Sequence, residues 1–210
     1  MTKYELINFE DVIVELWEKG EINASVHLSG GNEEQLIKLF KQISPQDYVF
    51  STWRNHYHYL LHTGRWSVLM DEICNRGHRL CGGMSRSMHT IDRSHNFFSS
   101  AIVAGCCSIA VGVAYALKSK ESKQKVWCFI GDGGCDSGLF YESWRYAVAQ
   151  DLPVTFVVED NDRSVDASVK ERWGDKDRVM ETLRKSDKIY YYRYTAKYPH
   201  VGSGVHVQFT

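Results

Sequence analysis

The hydrophobic pattern of the second half of the chain predicts a parallel sheet. Two short, continuous apolar runs, at 126–130 and 154–158, are typical of strands that are buried on both faces. A helical pattern at 139–150 separates them, and 188–194 predicts a final strand. Strands that alternate with helices in this way form βαβ units. We therefore predict an α/β fold, a three-layer α/β/α arrangement around a mainly parallel sheet.

The first half of the chain predicts helices and loops. Apolar spacing indicates helices at 9–18, 33–42 and 68–76, and a looser stretch rich in histidine and aromatic residues runs to about residue 64. A loop with glycine and serine covers 82–94, and polar helical stretches follow residue 161 up to about 185. No repeat or linker divides the sequence. We expect a single domain over residues 1–210, with an N-terminal helical and loop segment at about 1–65.

The segment 101–117 is apolar enough to require a choice between a core helix and a membrane span. Its length of about 17 residues is at the lower limit for crossing a bilayer. Its small residues, which include Gly105, Ser108 and Gly112, suit a helix packed closely against a sheet. We expect a buried core helix and no membrane association.

Candidate chemistry lies at the ends of the two buried strands. Asp132 follows the first strand and Asn161 follows the second, so both fall at the carboxyl edge of the sheet, where α/β proteins bind ligands. Carboxylate and amide oxygens suit Mg²⁺ or Ca²⁺, and Mg²⁺ commonly bridges to phosphate oxygens. Gly133 and Gly134 leave backbone N–H groups uncovered just before a helix, which favours an anion there. A diphosphate bridged by a metal ion fits both features.

These residues carry a resemblance to a known family. Gly131-Asp132-Gly133, followed by Glu142, Leu152-Pro153 and Asn161, resembles the motif of thiamine diphosphate enzymes. The resemblance implies that Asp132 and Asn161 hold Mg²⁺ together with the backbone carbonyl of Arg163. It is closest to the alpha subunit of two-subunit 2-oxo acid dehydrogenases. For Glu142, a role in the fold or in a subunit contact explains the residue as well as a catalytic role does.

Further segments match the same family in order along the chain. The stretch that begins at His27 is similar to a segment whose histidine lies near the cofactor diphosphate, and Trp53-Arg54 is similar to an aromatic and arginine pair that faces it. Ser87-Met88-His89 matches a Ser-Met-His loop. The segment 100–104 stands where the family contacts the aminopyrimidine ring through main-chain atoms, which implies that Ala101 and Val103 make these contacts.

The resemblance also implies a partner. In this family a glutamate activates the cofactor, and it belongs to a second, pyrimidine-binding domain. Because the diphosphate motifs already occupy residues 27–163, we expect that glutamate on a separate beta-type subunit, in a heterotetramer. The chain would then be active only with its partner.

Departures from the family pattern leave the reaction open. Asp160-Asn161 and the Val165-Asp166 pair resemble transketolases, which implies transfer of a ketol or acyl unit to a sugar-like aldehyde. The family's His-x-His loop after the last strand is missing, and His200 is the candidate substitute for its catalytic histidine. His27 matches the family's histidine beside the diphosphate, and it is the other candidate catalytic residue. Decarboxylation or acyl transfer from a 2-oxo acid therefore stands beside ketol transfer.

Two hypotheses of other classes remain as alternatives. One is a non-catalytic binding remnant of the same fold, which would have no reason to keep buried metal ligands. The other is a nucleotide-binding oxidoreductase, which would need a G-x-G-x-x-G turn that the sequence GDGGCDSG does not supply.

Composition and net charge limit the binding partners and the cellular compartment that we expect. A formal net charge of −1 gives no general attraction to nucleic acid or to an anionic membrane. The six cysteines include no C-x-x-C pair, and we expect them to be reduced in a cytoplasmic protein.

Overall fold

The structure is a computed structural model that describes residues 1–77, 80–165, 167–174 and 178–200. Its contacts divide the chain into two compact units. Of the described residues, the first contains those of Met1–Pro45, Trp53–Ala101 and 196–200, and the second contains those of Gln46–Thr52 and Ile102–Thr195. Each unit is described by itself.

The helices follow one another along both units. In chain order they are α1 Lys3–Glu18, α2 Glu33–Phe40, α3 His56–Thr63, α4 Trp66–Cys74, α5 Gly105–Ser119, α6 Gly138–Ala149, α7 Val169–Trp173 and α8 Arg178–Leu183. Short 3-10 turns cover Arg93–His95 and Asp132–Asp136. The strands are β1 Tyr48–Ser51, β2 Ile91–Asp92, β3 Phe97–Ser99, β4 Val126–Gly131, β5 Val154–Asp160, β6 Arg163–Ser164, β7 Ala167–Ser168 and β8 Ile189–Arg193.

A parallel sheet organises the second unit. β4 pairs with β1 on one side and with β5 on the other, and β5 pairs with β8, all in parallel. Gly131 is in register with Glu159, and Asp160 with Arg193, so β4, β5 and β8 end at one edge. The apolar side chains of β4 and β5 are almost wholly buried, as the continuous apolar runs predicted. The α/β class and the three-layer arrangement with a mainly parallel sheet are confirmed.

Helix α5 occupies most of the apolar segment 101–117 but begins four residues later than predicted. Ala104 precedes it with a positive φ of 55°, so the chain turns before the helix starts. The helix buries one face, which includes Cys107, Ala110 and Ala114. In the described part of the chain, no helix is long and apolar enough to cross a membrane.

The stretch up to residue 64 is more regular than the sequence predicted. It contains β1 and α3, whereas we expected a loose segment. Helix α3 has the sequence HYHYLLHT and buries five consecutive side chains from His56 to Leu60, so it has no polar stripe to reveal a helical period. Helix α1 also begins earlier, at Lys3, where Thr2 and Glu5 form a capping box. The expectation of a single domain over residues 1–210 stays a prediction.

Candidate metal and diphosphate site

The predicted metal ligands lie where β4 and β5 end. Asp132 directly follows β4, and Asn161 directly follows β5. Since Gly131 and Glu159 are in register, the two side chains start from neighbouring positions at the same edge of the sheet. The motif therefore falls at the sheet edge predicted for it.

The carboxylate of Asp132 is buried, and only one of its two oxygens accepts a hydrogen bond from a described residue. Its Oδ2 accepts a hydrogen bond from Nη2 of Arg172 at 2.9 Å. Its Oδ1 is buried and has no hydrogen-bond partner within the described residues. Burial raises the pKa of Asp132 to about 6, and repulsion from Asp160 adds to the rise, while Arg172 and the backbone N–H groups of Asn161 and of Asp132 itself oppose it. A buried anionic oxygen without a partner is costly, and a cation would relieve that cost.

Asn161 is fixed by local hydrogen bonds. Its side-chain Oδ1 accepts the backbone N–H of Arg163 at 3.1 Å, and its Nδ2 donates to the Tyr194 hydroxyl at 3.3 Å. The first bond closes an Asx turn that sets the backbone at Arg163, whose carbonyl is the third predicted ligand. An amide oxygen has two lone pairs, so Oδ1 can accept this bond and still face a metal.

A magnesium site here would have oxygen donors of mixed kinds. The described residues contain no group of three or more His, Cys, Asp or Glu side chains that could hold a metal. The predicted set is one carboxylate, one amide oxygen and one backbone carbonyl, with the rest left to phosphate and water. The unpartnered Oδ1 of Asp132 is the observation that fits such an ion.

The two glycines of the turn are required by close packing. A Cβ on Gly133 would lie 2.5 Å from Oγ and 3.1 Å from the backbone Cα of Ser164, and a Cβ on Gly134 would lie 2.6 Å from Cγ1 of Ile130. A side chain at either position would push the neighbouring loop or strand aside. The turn thus keeps its backbone bare at the start of α6, as binding an anion there requires.

Predicted cofactor residues of the first unit lie together as well. The rings of His27, Trp53 and His200 form a cluster with centroids 5.2 to 6.4 Å apart, although these residues are far apart in sequence. Neither Nδ1 of His27 nor Nε1 of Trp53, both buried, has a hydrogen-bond partner in the part of the chain that is described. Burial lowers the pKa of His27 to about 3, and His200 and Arg54 reinforce the effect, so His27 is neutral at pH 7.

Arg54 shares its donors with the protein backbone. Its Nη1 donates to the Leu28 carbonyl at 2.6 Å, and its Nη2 lies 3.5 Å from the Pro199 carbonyl. Arg54 thus ties the segment next to His27 and the segment next to His200 to its own position. Its predicted contact with the diphosphate stays a prediction.

A buried hydrogen-bond chain supports this part of the first unit, and the sequence did not indicate it. His56 has its Nδ1 3.2 Å from Oε1 of Glu10 and its Nε2 2.8 Å from Oγ of Ser87. The backbone N–H of Ser29 donates to Glu10 at 2.7 Å, and that of His27 donates to Ser87 at 3.4 Å. These hydrogen bonds hold the backbone on both sides of Leu28. All three side chains are buried, so they serve as a scaffold.

The remaining predicted residues are less constrained. Ala101 ends a segment of the first unit and is half-buried, and Val103 in the second unit is exposed, with its Cγ1 4.0 Å from the Cβ position of Gly134. Their predicted main-chain contacts with the pyrimidine stay predictions. Glu142 is exposed on α6, and Asp166 of the Val165-Asp166 pair lies outside the described residues.

The comparison with protein families decides the family. The family model described as "Dehydrogenase E1 component" matches residues 1–176. The chain belongs to this family. Membership implies thiamine diphosphate as the cofactor and confirms the resemblance to alpha subunits of 2-oxo acid dehydrogenases.

Three curated relatives of this E1 component chain are named as alpha subunits. The alpha subunit of acetoin:2,6-dichlorophenolindophenol oxidoreductase from Bacillus subtilis is 34% identical over 75% of this chain and 47% of the relative. The pyruvate dehydrogenase E1 component subunit alpha from Porphyra purpurea is 33% identical over 73% of this chain and 47% of the relative. A chloroplastic pyruvate dehydrogenase E1 component subunit alpha-3 from Arabidopsis thaliana is 31% identical, also over 73% of this chain and over 38% of its own length. The matches thus cover less than half the length of these relatives.

Proposed function

We propose that this chain is the diphosphate-binding, alpha-type subunit of a thiamine diphosphate enzyme that acts on a 2-oxo acid by decarboxylation or acyl transfer. Family membership and the names of the relatives support the subunit type. The observation that carries the proposal is the buried Oδ1 of Asp132 at the carboxyl edge of β4, which has no hydrogen-bond partner among the residues that the structure describes. It stands in the motif that the family uses for its metal.

Mg²⁺ is the metal that these residues fit best. Asp132, Asn161 and the Arg163 carbonyl supply hard oxygen donors, and Mg²⁺ in such sites completes its coordination with phosphate oxygens and water. The bare N–H groups of Gly133 and Gly134 precede α6 and would bind a diphosphate oxygen. Arg54 and neutral His27 stay predicted contacts of the diphosphate.

The residues of this chain would bind and orient the cofactor. When bound, thiamine diphosphate supplies the electron sink that allows a bond next to a carbonyl to break. Asp132 and Asn161 would fix the metal, and through it the diphosphate end. His27, held neutral by burial, can exchange a hydrogen bond at Nδ1 without adding a charge.

The proposal requires a second subunit. The activating glutamate would come from a separate pyrimidine-binding subunit of the beta type, and the assembly would be a heterotetramer. The designation of the relatives as subunit alpha supports this arrangement. We also propose a cytoplasmic location, on the basis of six cysteines that are all free of disulfides.

Calorimetric titration tests the proposal directly. We expect the full chain, together with its partner subunit, to bind thiamine diphosphate only when Mg²⁺ is present. Thiamine monophosphate is the matched control, because it keeps the rings and lacks the outer phosphate. If binding of thiamine diphosphate is absent, or is independent of metal, the proposal is wrong and the binding-remnant alternative gains support.

Ketol transfer is the second candidate, and Asp160 is the residue that favours it. This residue takes the place of the first asparagine in the family's Asn-Asn pair. It is buried, and its Oδ1 accepts the Asp162 N–H at 2.9 Å while Tyr191 donates to its Oδ2. The reconstituted enzyme can be assayed with a 2-oxo acid and an artificial electron acceptor, and with a ketose phosphate and an aldehyde acceptor. Turnover of only the second pair would establish the transferase.

A further inference from the structure

Arg172 on α7 contacts the metal-binding turn from a distance of 40 positions in the chain. Its Nη2 donates to Oδ2 of Asp132 at 2.9 Å, and its Nη1 donates to Oδ2 of Asp136. The Arg172 side chain is only 15% exposed, and that of Asp132 is 2% exposed. One guanidinium thus bridges both ends of the turn Asp132–Asp136, in a setting that is largely shielded from water.

Because of this bridge, the two carboxylate oxygens of Asp132 have different surroundings. Arg172 holds Oδ2, while Oδ1 stays buried without a partner among the residues that are described. A carboxylate that is fixed through one oxygen presents the other in a single direction. Residues that orient metal ligands by hydrogen bonds to them commonly raise metal affinity by 10-fold to 100-fold, as an order of magnitude.

The same bridge joins the two halves of the candidate metal site. Arg172 lies at the end of the segment that begins at Asn161 and includes Arg163. Asp132 lies on the turn after β4. Ser164 of that segment already packs so closely on Gly133 that a Cβ there would lie 2.5 Å from its Oγ. α7 itself is fixed by a capping box between Ser168 and Glu171. Arg172 therefore closes the loop with Asn161 against the turn with Asp132.

The carboxylates at this edge are paired with arginine side chains. Asp132, Asp136 and Asp160 bring three carboxylates to the end of the strands, and Arg184 and Arg193 lie 3.6 and 3.9 Å from Oδ2 of Asp160. Arg172 offsets two of the three carboxylates through direct ion pairs. A planar, bidentate guanidinium can span two carboxylates, and a lysine ammonium is a single point charge.

We propose that Arg172 is a positioning residue for Mg²⁺, which orients Asp132 and clamps the Asn161 loop to it; this inference rests on the proposed function. The measurement is the dissociation constant of thiamine diphosphate, taken over a series of Mg²⁺ concentrations on the full chain with its partner subunit. Arg172→Gln is expected to raise the Mg²⁺ concentration for half-maximal binding about 10-fold or more. At saturating Mg²⁺ the affinity for thiamine diphosphate should return close to that of the wild type.

Two further variants separate positioning from a general effect on folding. Lys170→Gln removes an exposed positive charge from the same short helix, and it should leave the Mg²⁺ requirement unchanged. Arg172→Lys keeps the charge without the fork, and it should shift the requirement by an intermediate amount. The thermal unfolding midpoint is measured for each variant, because a purely structural role would lower the midpoint and leave the Mg²⁺ dependence as it is.

The outcomes distinguish this inference from the function on which it rests. If the wild-type complex binds thiamine diphosphate without any need for Mg²⁺, or does not bind it, both are overturned. If the wild type requires Mg²⁺ and Arg172→Gln has an unchanged requirement, only the positioning role is overturned. A lower requirement in Arg172→Gln would also overturn it, because Arg172 would then compete with the metal.

Discussion

The candidate metal edge of the second unit and the ring cluster of the first unit each hold buried polar atoms without partners among the described residues. At the edge, the atom is an oxygen acceptor, Oδ1 of Asp132. In the ring cluster, the atoms are nitrogens, Nδ1 of His27 and Nε1 of Trp53, and Nε1 of an indole can only donate. An acceptor with negative charge suits a cation, and the indole N–H of Trp53 suits an anion. Each region by itself thus matches one half of a metal and diphosphate pair.

The comparison also shows how the two regions treat charge. The edge gathers carboxylates and offsets them with Arg172, whereas the ring cluster keeps His27 neutral through burial and nearby cationic groups. Unpartnered buried polar atoms cost free energy, so proteins seldom retain them without a ligand or a water. We infer that, when no cofactor is bound, both regions lower the free energy of unfolding of the protein.

Replacing Asp132 should have the largest effect. Asp132→Ala removes the only carboxylate among the predicted metal ligands, so we expect Mg²⁺-dependent binding of thiamine diphosphate to be abolished in the complex with the partner. Asp187→Ala, which removes an exposed carboxylate from the same unit, is the control and should bind normally. Normal activity of Asp132→Ala would refute the ligand assignment and with it the acceptor side of the comparison.

Arg54→Ala tests the donor side. We expect the affinity for thiamine diphosphate to fall by roughly 1.5–3 kcal/mol, the range for hydrogen bonds to charged groups. Part of the loss would come from the released Leu28 carbonyl, which accepts from Arg54. Arg76→Ala removes an exposed arginine of the same unit and should have no effect on calorimetric binding. An unchanged dissociation constant in Arg54→Ala would remove Arg54 from the site.

The glycine turn offers a matched steric test. Gly133→Ala places a methyl group against Ser164, so we expect the free energy of unfolding to drop by about 1–3 kcal/mol and cofactor binding to weaken. At Gly138, six positions after Asp132, a Cβ meets no atom within 4 Å, so Gly138→Ala should lower neither quantity. Equal behaviour of the two variants in chemical denaturation would mean that the turn tolerates a side chain.

His27 should make the free energy of unfolding depend on pH. Its pKa in the folded chain is lowered to about 3 from the usual 6.5, so the unfolded chain binds a proton more readily as the pH falls below 6.5. The folded state therefore loses stability between pH 6.5 and about 3, by about 2 kcal/mol at pH 5. His27→Gln should lose this part of the dependence, as measured by urea unfolding at pH 7 and pH 5. Identical pH profiles for the variant and the wild type would show that His27 is not kept neutral.

Local sequence patterns predicted the strands and the turn at the sheet edge better than they predicted the side chains that hold them in place. The strands β4 and β5 and the residues that follow them came from continuous apolar runs and a glycine turn, which are local signals. Arg172 had no such signal, because its contact with Asp132 depends on how the loop after Asn161 folds back. Helix α3 was missed because burial on all sides hides the helical period in its sequence.

The scaffold of the first unit shows the same limit. Ser87 was noted for its motif, but its link through His56 to Glu10 joins three distant segments by hydrogen bonds that no spacing reveals. The ring cluster was predicted only as separate residues, through the resemblance. Side chains that meet through tertiary packing leave no periodic trace in the sequence.

A crystal structure of the complex with Mn²⁺ and thiamine diphosphate would test the central claim most directly. Mn²⁺ replaces Mg²⁺ at oxygen sites and gives an anomalous signal that locates it. We predict one peak bound by Oδ1 of Asp132, Oδ1 of Asn161 and the Arg163 carbonyl, with Arg172 still on Oδ2 of Asp132. A peak at another place, or thiamine diphosphate bound with no metal on Asp132, would contradict the account.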